Sequence, residues 1–507
     1  MRHQERTLFI YPPTSHMAIE TPRPDGSLGL CYIAGELTRA GYQSEILDAS
    51  LGGHEDSLED TFYRTEELPG GLTRIGMSWE ALARKITRVN PTIVGIHSNH
   101  TSQTKMALEV ARIVKAINPE ILVVVGGVSA RALYERYMVT PWVDMVVTTE
   151  GERVMLEIVR RKEAGLSLGG IPGVISRLGI TPPAAETFYR NLDDLPIPSW
   201  DMLSLDRYAR VSSPHGQDLL GTEGIMYAPL QTSRGCPFQC VYCHISLERF
   251  GRGSLTGDVG ELRLKSVPRV LEEVEVLRGL GVKKIFLEDD SLLAKKARII
   301  SIMTAIKEKD MILAGVNGVN LVHLFRRVGS ALEVDREYLE LLCAAGLKQV
   351  VFPVESGSQR ILDKYATGKL NLAAMDTLAL TRAASEIGMI TPVNMMLGFP
   401  DETESEIMSS IEFARRLIDA GAPYVTFFIP IPFPGSQLYE MAIEGGHLKE
   451  DFNTDIMNYK NGVMEETTVP RERIVELRDF AHESVNPPSW VKRRLEESIG
   501  GTRWKDK

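Results

Sequence analysis

The sequence predicts an α/β protein made of two successive strand–helix alternations followed by a helical tail. Two observations carry this reading: short β-branched runs recur between amphipathic stretches, and glycines stand where several of those stretches must end. The composition of the 507 residues, 43% hydrophobic and 24% charged, is that of a globular protein and excludes a disordered or fibrous chain. The length fits roughly two to four domains. A net charge of −10 argues against a protein whose main work is binding phosphate backbones. The longest apolar run, Ile121–Val128, falls well short of the roughly 20 residues of a membrane span. The opening MRHQERTLFIYPP is too briefly apolar for a signal peptide and reads as a first strand, so a cytoplasmic protein is expected.

The first unit, residues 1–165, has β-type runs at 7–11, 44–48, 92–96, 121–125 and 143–147. Helical patterns such as Leu30–Ala40 and Thr104–Ile117 fall between them, predicting an open parallel, Rossmann-like sheet with helices on both faces. Residues 166–224 are rich in Gly, Pro and Asp and read as a linker that packs through Trp200 and Leu203. In the second unit, 225–440, strands are expected at Met226–Gln231, Lys284–Leu287, Ile312–Val316, Gln349–Val354, Thr391–Leu397 and Tyr424–Ile429. Helices are expected at Val267–Leu280, Arg336–Ala345, Asn371–Ile387 and Glu404–Ala420. Six strands and six helices make a partial (β/α)6, TIM-like barrel, open on one side for a large substrate. Gly281, Gly346, Gly388 and Gly421 each follow a helix and precede a strand, as C-terminal caps should. Residues 441–507 form a small, mainly helical segment.

Five cysteines are too few, and odd in number, for a disulfide framework. Cys31 and Cys343 stand alone, whereas Cys236, Cys240 and Cys243 share the run C-P-F-Q-C-V-Y-C. Three thiolates suit a soft metal, but structural zinc wants a fourth ligand. A 4Fe–4S cluster usually takes four cysteines, so three leave one iron open to a chelating substrate or cofactor. The run follows the apolar stretch Ile225–Leu230, at the strand end where parallel folds place their chemistry. His244, next to it, reads as a polar loop residue.

CxxxCxxC with an aromatic, Tyr242, before the last cysteine resembles the radical S-adenosylmethionine (radical SAM) superfamily, and the resemblance continues in order over residues 226–440. It implies Cys236, Cys240 and Cys243 as ligands of a 4Fe–4S cluster. Glu288-Asp289-Asp290 stands where the family places groups for the methionyl amino end of SAM, and carboxylates suit an ammonium. Val354-Glu355-Ser356-Gly357-Ser358 is similar to the ribose-contacting segment. The fifth strand carries Asn394 and ends in the Gly398-Phe399-Pro400 turn, where Thr403 caps the next helix. Pro430–Ser436 would wall the adenine. The implied SAM contacts are thus Tyr242, Glu288, Asp289, Asp290, Glu355, Ser356 and Asn394.

Pro12-Pro13, Gly26–Leu30, Val94–Ser98, Gly126-Gly127 and Glu150–Glu152 resemble the cobalamin-binding domain that precedes the barrel in one large radical SAM subfamily. The implied cobalamin contacts are Ser98, Thr101, Gly126, Gly127, Glu150 and Gly151; the glycines let backbone approach a flat corrin or its nucleotide tail. NAD is disfavoured, because Pro12-Pro13 occupies the place of a G-x-G-x-x-G turn. The chain lacks the Asp-x-His-x-x-Gly loop that supplies a histidine to cobalt, and Ser129 stands where many members have a histidine. The expected corrin therefore has no histidine on its lower face, with His97 and His100 near the pocket read as structural.

What the resemblance implies is a C-methyltransferase that forms a 5′-deoxyadenosyl radical. It would pass methyl from methylcobalamin to an unactivated carbon, or to phosphorus, of a small-molecule, lipid or peptide substrate. The alternative is a radical SAM cyclase or rearrangement enzyme with the same domain order. A non-catalytic cobalamin carrier is disfavoured by the intact three-cysteine run. A methylthiotransferase would need more N-terminal cysteines than Cys31. An external electron donor such as flavodoxin or ferredoxin is expected and nucleic acid is not. Tyr227, His215, Asn317, Asn320 and Phe428 are candidate cavity residues.

Overall fold

The computed structural model describes residues 4–24, 26–211, 219–249, 255–449, 451–457 and 462–506; His215 lies outside them. In the N-terminal unit, β1 (Arg6–Tyr11), α1 (Leu28–Arg39), β2 (Gln43–Asp48), α2 (Trp79–Val89), β3 (Ile93–His97) and α3 (Thr104–Ile117) follow one another. They lead into β4 (Leu122–Gly126), β5 (Met145–Val147), α4 (Gly151–Glu163), β6 (Val174–Ser176) and β7 (Gly179–Thr181). The sheet order is β7-β6-β5-β4-β3-β1-β2. The five strands from β2 to β5 are parallel, while β6 and β7 add an antiparallel edge. The strands read as near-continuous apolar runs because both faces are covered. Leu8, Ile10, Val94 and Val125 pack on the α2–α3 side. Phe9, Val124, Met145 and Val147 pack under α1 and α4. A small antiparallel sheet of Thr14–Met17, Thr65–Leu68 and Leu72–Ile75 lies beside this core. Its strands are short and largely half-exposed, so no β-branched run announced them.

The second unit contains β8 (Tyr227–Leu230), α5 (Val267–Gly279), β9 (Lys284–Leu287), α6 (Lys296–Lys307), β10 (Ile312–Gly315), α7 (Arg336–Ala344), β11 (Leu347–Val350) and β12 (Phe352–Glu355). It continues with α8 (Gln359–Tyr365), α9 (Thr377–Glu386), β13 (Val393–Met396), α10 (Glu404–Asp419) and β14 (Val425–Phe428). Four strands, β8-β9-β10-β11, and three, β12-β13-β14, form two parallel arcs. The stretch expected as one strand at 349–354 joins them. The N–H groups of Val350 and Phe352 donate to Ile390 and Pro392 on one side, and that of Val351 donates to Gly315 on the other. The result is a six-position barrel whose edges, β8 and β14, do not pair with each other.

Both edges are covered. The Trp200 indole N–H donates to the Pro229 carbonyl at 3.0 Å. Asn486, at the end of α11 (Arg471–Val485), accepts from Val425 N–H at 2.7 Å and donates to its carbonyl at 2.9 Å. The linker and the tail therefore close what the barrel leaves open. Gly281, Gly346, Gly388 and Gly421 adopt φ of 85°, 101°, 79° and 111°, the left-handed geometry that stops a helix. Helix α9 begins later than the sequence pattern implies, because Asp376 caps it by accepting from Ala379 N–H. Among the described residues no helix is long and apolar enough to cross a membrane.

Candidate functional site

The C-terminal strand ends of both units face one cavity of about 1510 Å³, counting its open mouth. On the sheet side the register places Phe9, Gly95 and Val124 in one row, and Tyr11, His97, Gly126 and Val147 bordering the row above. Gly95 lets the Phe9 ring pack close against the strand: a Cβ on it would come within 2.6 Å of that ring. Leu30 and Ile33 of α1 and Met155 of α4 line the same cavity. Gly127, at φ 118°, sits so tightly that a Cβ would meet the Ser98 carbonyl oxygen at 2.4 Å. Gly126, Gly127, Glu150 and Gly151 line the cavity. Ser98 and Thr101 are buried and do not line it. The Ser98 hydroxyl shares a 2.8 Å hydrogen bond with that of Tyr137, so its contribution is to the wall behind. The His97 ring stacks on Tyr11, centroids 4.8 Å apart. Burial, with His100 adding to it, pulls His97 down to about 3, so the ring is neutral.

On the barrel side, Asp289 turns away from the cavity. It accepts from Thr232 N–H at 3.0 Å, Thr232 Oγ1 at 2.7 Å and Ser233 Oγ at 2.5 Å, and so fixes the chain as it leaves β8. Asp290 accepts from Gly235 N–H at 2.9 Å. Gly235 has φ 79°, and a Cβ there would strike the Glu261 carbonyl at 2.3 Å. Glu288 and Asp290 both line the cavity. Burial, then Asp289 and Asp290, push the Glu288 carboxyl up to about 8.

Burial raises the thiols of Cys236, Cys240 and Cys243, and Cys236 and Cys240 raise Cys243 further, because the three stand near one another. Bare, they hold their protons; metal binding must displace them. Among the described residues no three His, Cys, Asp or Glu groups converge as ligands of a single ion would. A cubane cluster asks for something else, since each thiolate takes a different iron. Tyr242 Oη donates to Glu355 at 3.1 Å, and Lys369 Nζ pairs with the same carboxylate at 2.6 Å. Glu355 has φ 68°, a strained conformation of the kind found at binding sites. Ser356 is buried, and its hydroxyl lies 3.2 Å from that of Ser410 and accepts from Ser358 N–H, which ties down the turn. Asn394 is half-buried on β13, in register between Pro353 and Thr426.

Among the candidate substrate residues, Tyr227 is buried at the foot of β8, donating to the Pro24 carbonyl at 2.7 Å. Asn320 is buried and donates to Ser291. Asn317 donates to the Glu288 carbonyl at 3.0 Å, beside the cavity. Phe428 is half-buried at the end of β14. Cys31 and Cys343 are buried within helices.

Residues that sequence reasoning missed join the two units. Arg234 pairs with Glu150 at 3.0 Å and Glu152 at 2.8 Å while lying over the Tyr32 ring. Arg263 pairs with Glu150 at 2.5 Å, and Arg131 pairs with Glu248. Although burial works against it, Arg234 and Arg263 hold the Glu150 carboxyl below its usual range. Lys369 was missed as well. The only signal for any of them was proximity to a recognised motif.

Fold and site define a two-module α/β protein in which the residues flanking a three-thiol run, Arg234, Gly235 and His244, and a row of strand-end glycines border the same cavity. Residues 230–414 match the family model of the radical SAM superfamily, and residues 26–159 match that of the B12 binding domain. An uncharacterized methyltransferase of Pyrococcus horikoshii is 29% identical over 95% of this chain and 90% of its own length. The cytidylyl-2-hydroxyethylphosphonate methyltransferase of Streptomyces wedmorensis is 26% identical over 91% of this chain and 86% of its own. The anaerobic magnesium-protoporphyrin IX monomethyl ester cyclase of Rubrivivax gelatinosus is 24% identical over 93% and 75%. The radical SAM methyltransferase TsrM of Kitasatospora setae, solved with cobalamin and a 4Fe–4S cluster, shares the fold. Its TM-score is 0.61 at 17% identity, covering 88% of this chain and 75% of TsrM. The chain belongs to the radical SAM enzymes that carry an N-terminal B12-binding domain. Its cofactors are therefore a 4Fe–4S cluster, SAM and cobalamin.

Proposed function

We propose that the protein is a methyltransferase in which Cys236, Cys240 and Cys243 hold the cluster and the Gly95–Gly127 slot holds the cobalamin tail. The observation that carries this reading is that the thiol-bearing loop's base, at Arg234 and Gly235, and the glycine-lined strand ends border one cavity. The chemistry fits on both sides. Three soft donors leave an iron open, and Gly95 and Gly126 border the cavity without adding a side chain to it. When bound, the cofactors supply reductive cleavage of SAM and a carrier for its methyl group.

This chain's residues position the reactants. Glu288 and Asp290 face the cavity and suit an ammonium; when a cation enters, Glu288 gives up the proton that burial otherwise makes it keep. Glu355, fixed by Tyr242 and Lys369, accepts hydroxyl hydrogen bonds of a ribose, and Lys369 offers its remaining donors to a carboxylate. We assign Asn394, half-buried on β13, to the same set of SAM contacts. Asp289, Ser356, Ser98 and Thr101 act from behind these contacts. The substrate is a small molecule, lipid or peptide, entering through the open mouth of the shared cavity, and a flavodoxin or ferredoxin supplies electrons in the cytoplasm.

The cyclase relative makes methyl transfer the point to test. The enzyme, reconstituted anaerobically with iron, sulfide and cobalamin, is given SAM and reductant. S-adenosylhomocysteine matching the bound cobalamin, alongside 5′-deoxyadenosine, is the expected result. 5′-Deoxyadenosine without S-adenosylhomocysteine would instead support a cyclase or rearrangement enzyme.

A further inference from the structure

We propose that Lys369 tunes the reduction potential of the cluster: its ammonium, held beside the cysteine run by Glu355, favours the reduced state. The proposal rests on the reading that Cys236, Cys240 and Cys243 bind a 4Fe–4S cluster, and it gives Lys369 a task that does not involve SAM. The turn after α8, which carries Lys369, is stitched to the cysteine run. Val241 N–H donates to the Tyr365 carbonyl at 2.9 Å, and Thr367 Oγ1 donates to the Gln239 carbonyl at 2.8 Å. The Cys240 thiol donates to the Ala366 carbonyl at 3.9 Å, and Lys369 N–H closes the turn on that same carbonyl at 3.1 Å. The Lys369 side chain is only 11% exposed. Glu355 Oε1 accepts from Lys369 Nζ at 2.6 Å and from Tyr242 Oη at 3.1 Å. One carboxylate oxygen thus ties the ammonium to the run that contains the thiols.

The ion pair is turned with its positive end toward the sulfurs. Burial raises the Cys236 and Cys240 thiols; against it Lys369 works to lower both, and at Cys240 it outweighs the opposite effect of Glu355. Burial also opposes the charge on Lys369, yet Glu355 and Cys240 keep its amine above the ordinary range, so it stays cationic. Reduction of the cluster adds one electron from the external flavodoxin or ferredoxin and makes or breaks no bond. A fixed cation stabilises the added negative charge more in a buried site than it would in water, and the charge around a cluster is one of the influences that set its potential. Arg249, a second cation at the run, donates to the carbonyls of Cys236 and Phe238 and so holds the backbone. Among the described residues the Lys369 ammonium bonds only Glu355, so exchanging it alters the charge and leaves the run's own hydrogen bonds in place.

The test is a redox titration of the reconstituted full chain without SAM, followed by electron paramagnetic resonance of the reduced cluster. Iron content is measured first. Lys369→Met should make reduction less favourable by roughly tenfold, which is about 59 mV more negative for a one-electron couple. Lys369→Arg, which keeps the charge, should stay within about threefold of the wild type. Glu355→Gln removes the anion and keeps the cation, so it should shift the potential the other way, toward easier reduction. A loss of packing alone would not give shifts of opposite sign. An unchanged potential in Lys369→Met with a full cluster overturns the proposal, as do shifts of the same sign in Lys369→Met and Glu355→Gln. If Lys369→Met assembles no cluster, Glu355→Gln decides alone: easier reduction supports the proposal, and an unchanged or more negative potential overturns it. A wild-type protein that binds no cluster overturns the underlying reading, a separate result.

Discussion

Glu288 is a carboxyl that the fold discourages from ionising. Burial beside Asp289 and Asp290 raises it from 4.5 to about 8, so between those values the folded protein holds a proton that the unfolded chain has released. Stability from this group is complete below pH 4.5 and is lost as pH rises toward 8, with a slope of at most about 1.4 kcal/mol per pH unit. Urea titrations of the apoprotein across that range should show the decline, and Glu288→Gln should flatten it. An unchanged slope in the variant would remove Glu288 from the account. Lys369 is the opposite case. Its pairing with Glu355 keeps a cation beside the thiols, and burial does not neutralise it. Lys369→Met should weaken SAM binding by roughly ten- to a hundred-fold, read by equilibrium dialysis, as expected for a charge-assisted hydrogen bond.

At the scale of elements, the turn after β4 and the strut from β8 to α4 each make a distinct prediction. Gly127→Ala forces a Cβ to within 2.4 Å of the Ser98 carbonyl at a φ that alanine rarely adopts. Cobalamin retention should fall at least ten-fold while far-UV circular dichroism stays the same. Arg234→Met leaves Glu150 and Glu152 buried with only Arg263 nearby. Removing one partner of such a cluster costs about 3–5 kcal/mol, which thermal unfolding of the apoprotein should register as a large drop in Tm. Most elements were legible because β1, β3, β4, β9 and β13 are largely buried and read as mainly apolar runs, punctuated by glycines with positive φ. Cys236, Cys240 and Cys243 were legible because their spacing is local. Arg234, Arg131 and Lys369 were not, since each is defined by a partner brought close only by the fold. The same reason hid the difference between Glu288, on the cavity wall, and Asp289 beside it, whose oxygens bind the loop behind.

At the scale of the molecule, two sheets that each end at a binding edge are turned toward one another, and the linker and tail seal the edges the barrel leaves unpaired. Trp200 and Asn486 do this with ordinary hydrogen bonds to Pro229 and Val425. The arrangement sets the residues flanking the three-thiol run, Arg234, Gly235 and His244, and the glycine-bearing strand ends about a common space, which is what a reaction using both cofactors requires. The most direct measurement of that claim is cluster content with SAM cleavage after anaerobic reconstitution with iron and sulfide. The wild-type protein should bind about four irons per chain, as one cluster, and release 5′-deoxyadenosine on reduction with SAM. The Cys236→Ala, Cys240→Ala, Cys243→Ala triple variant should fold, lose the brown cluster absorbance and form no 5′-deoxyadenosine. A triple variant that keeps the absorbance and still cleaves SAM would contradict the account.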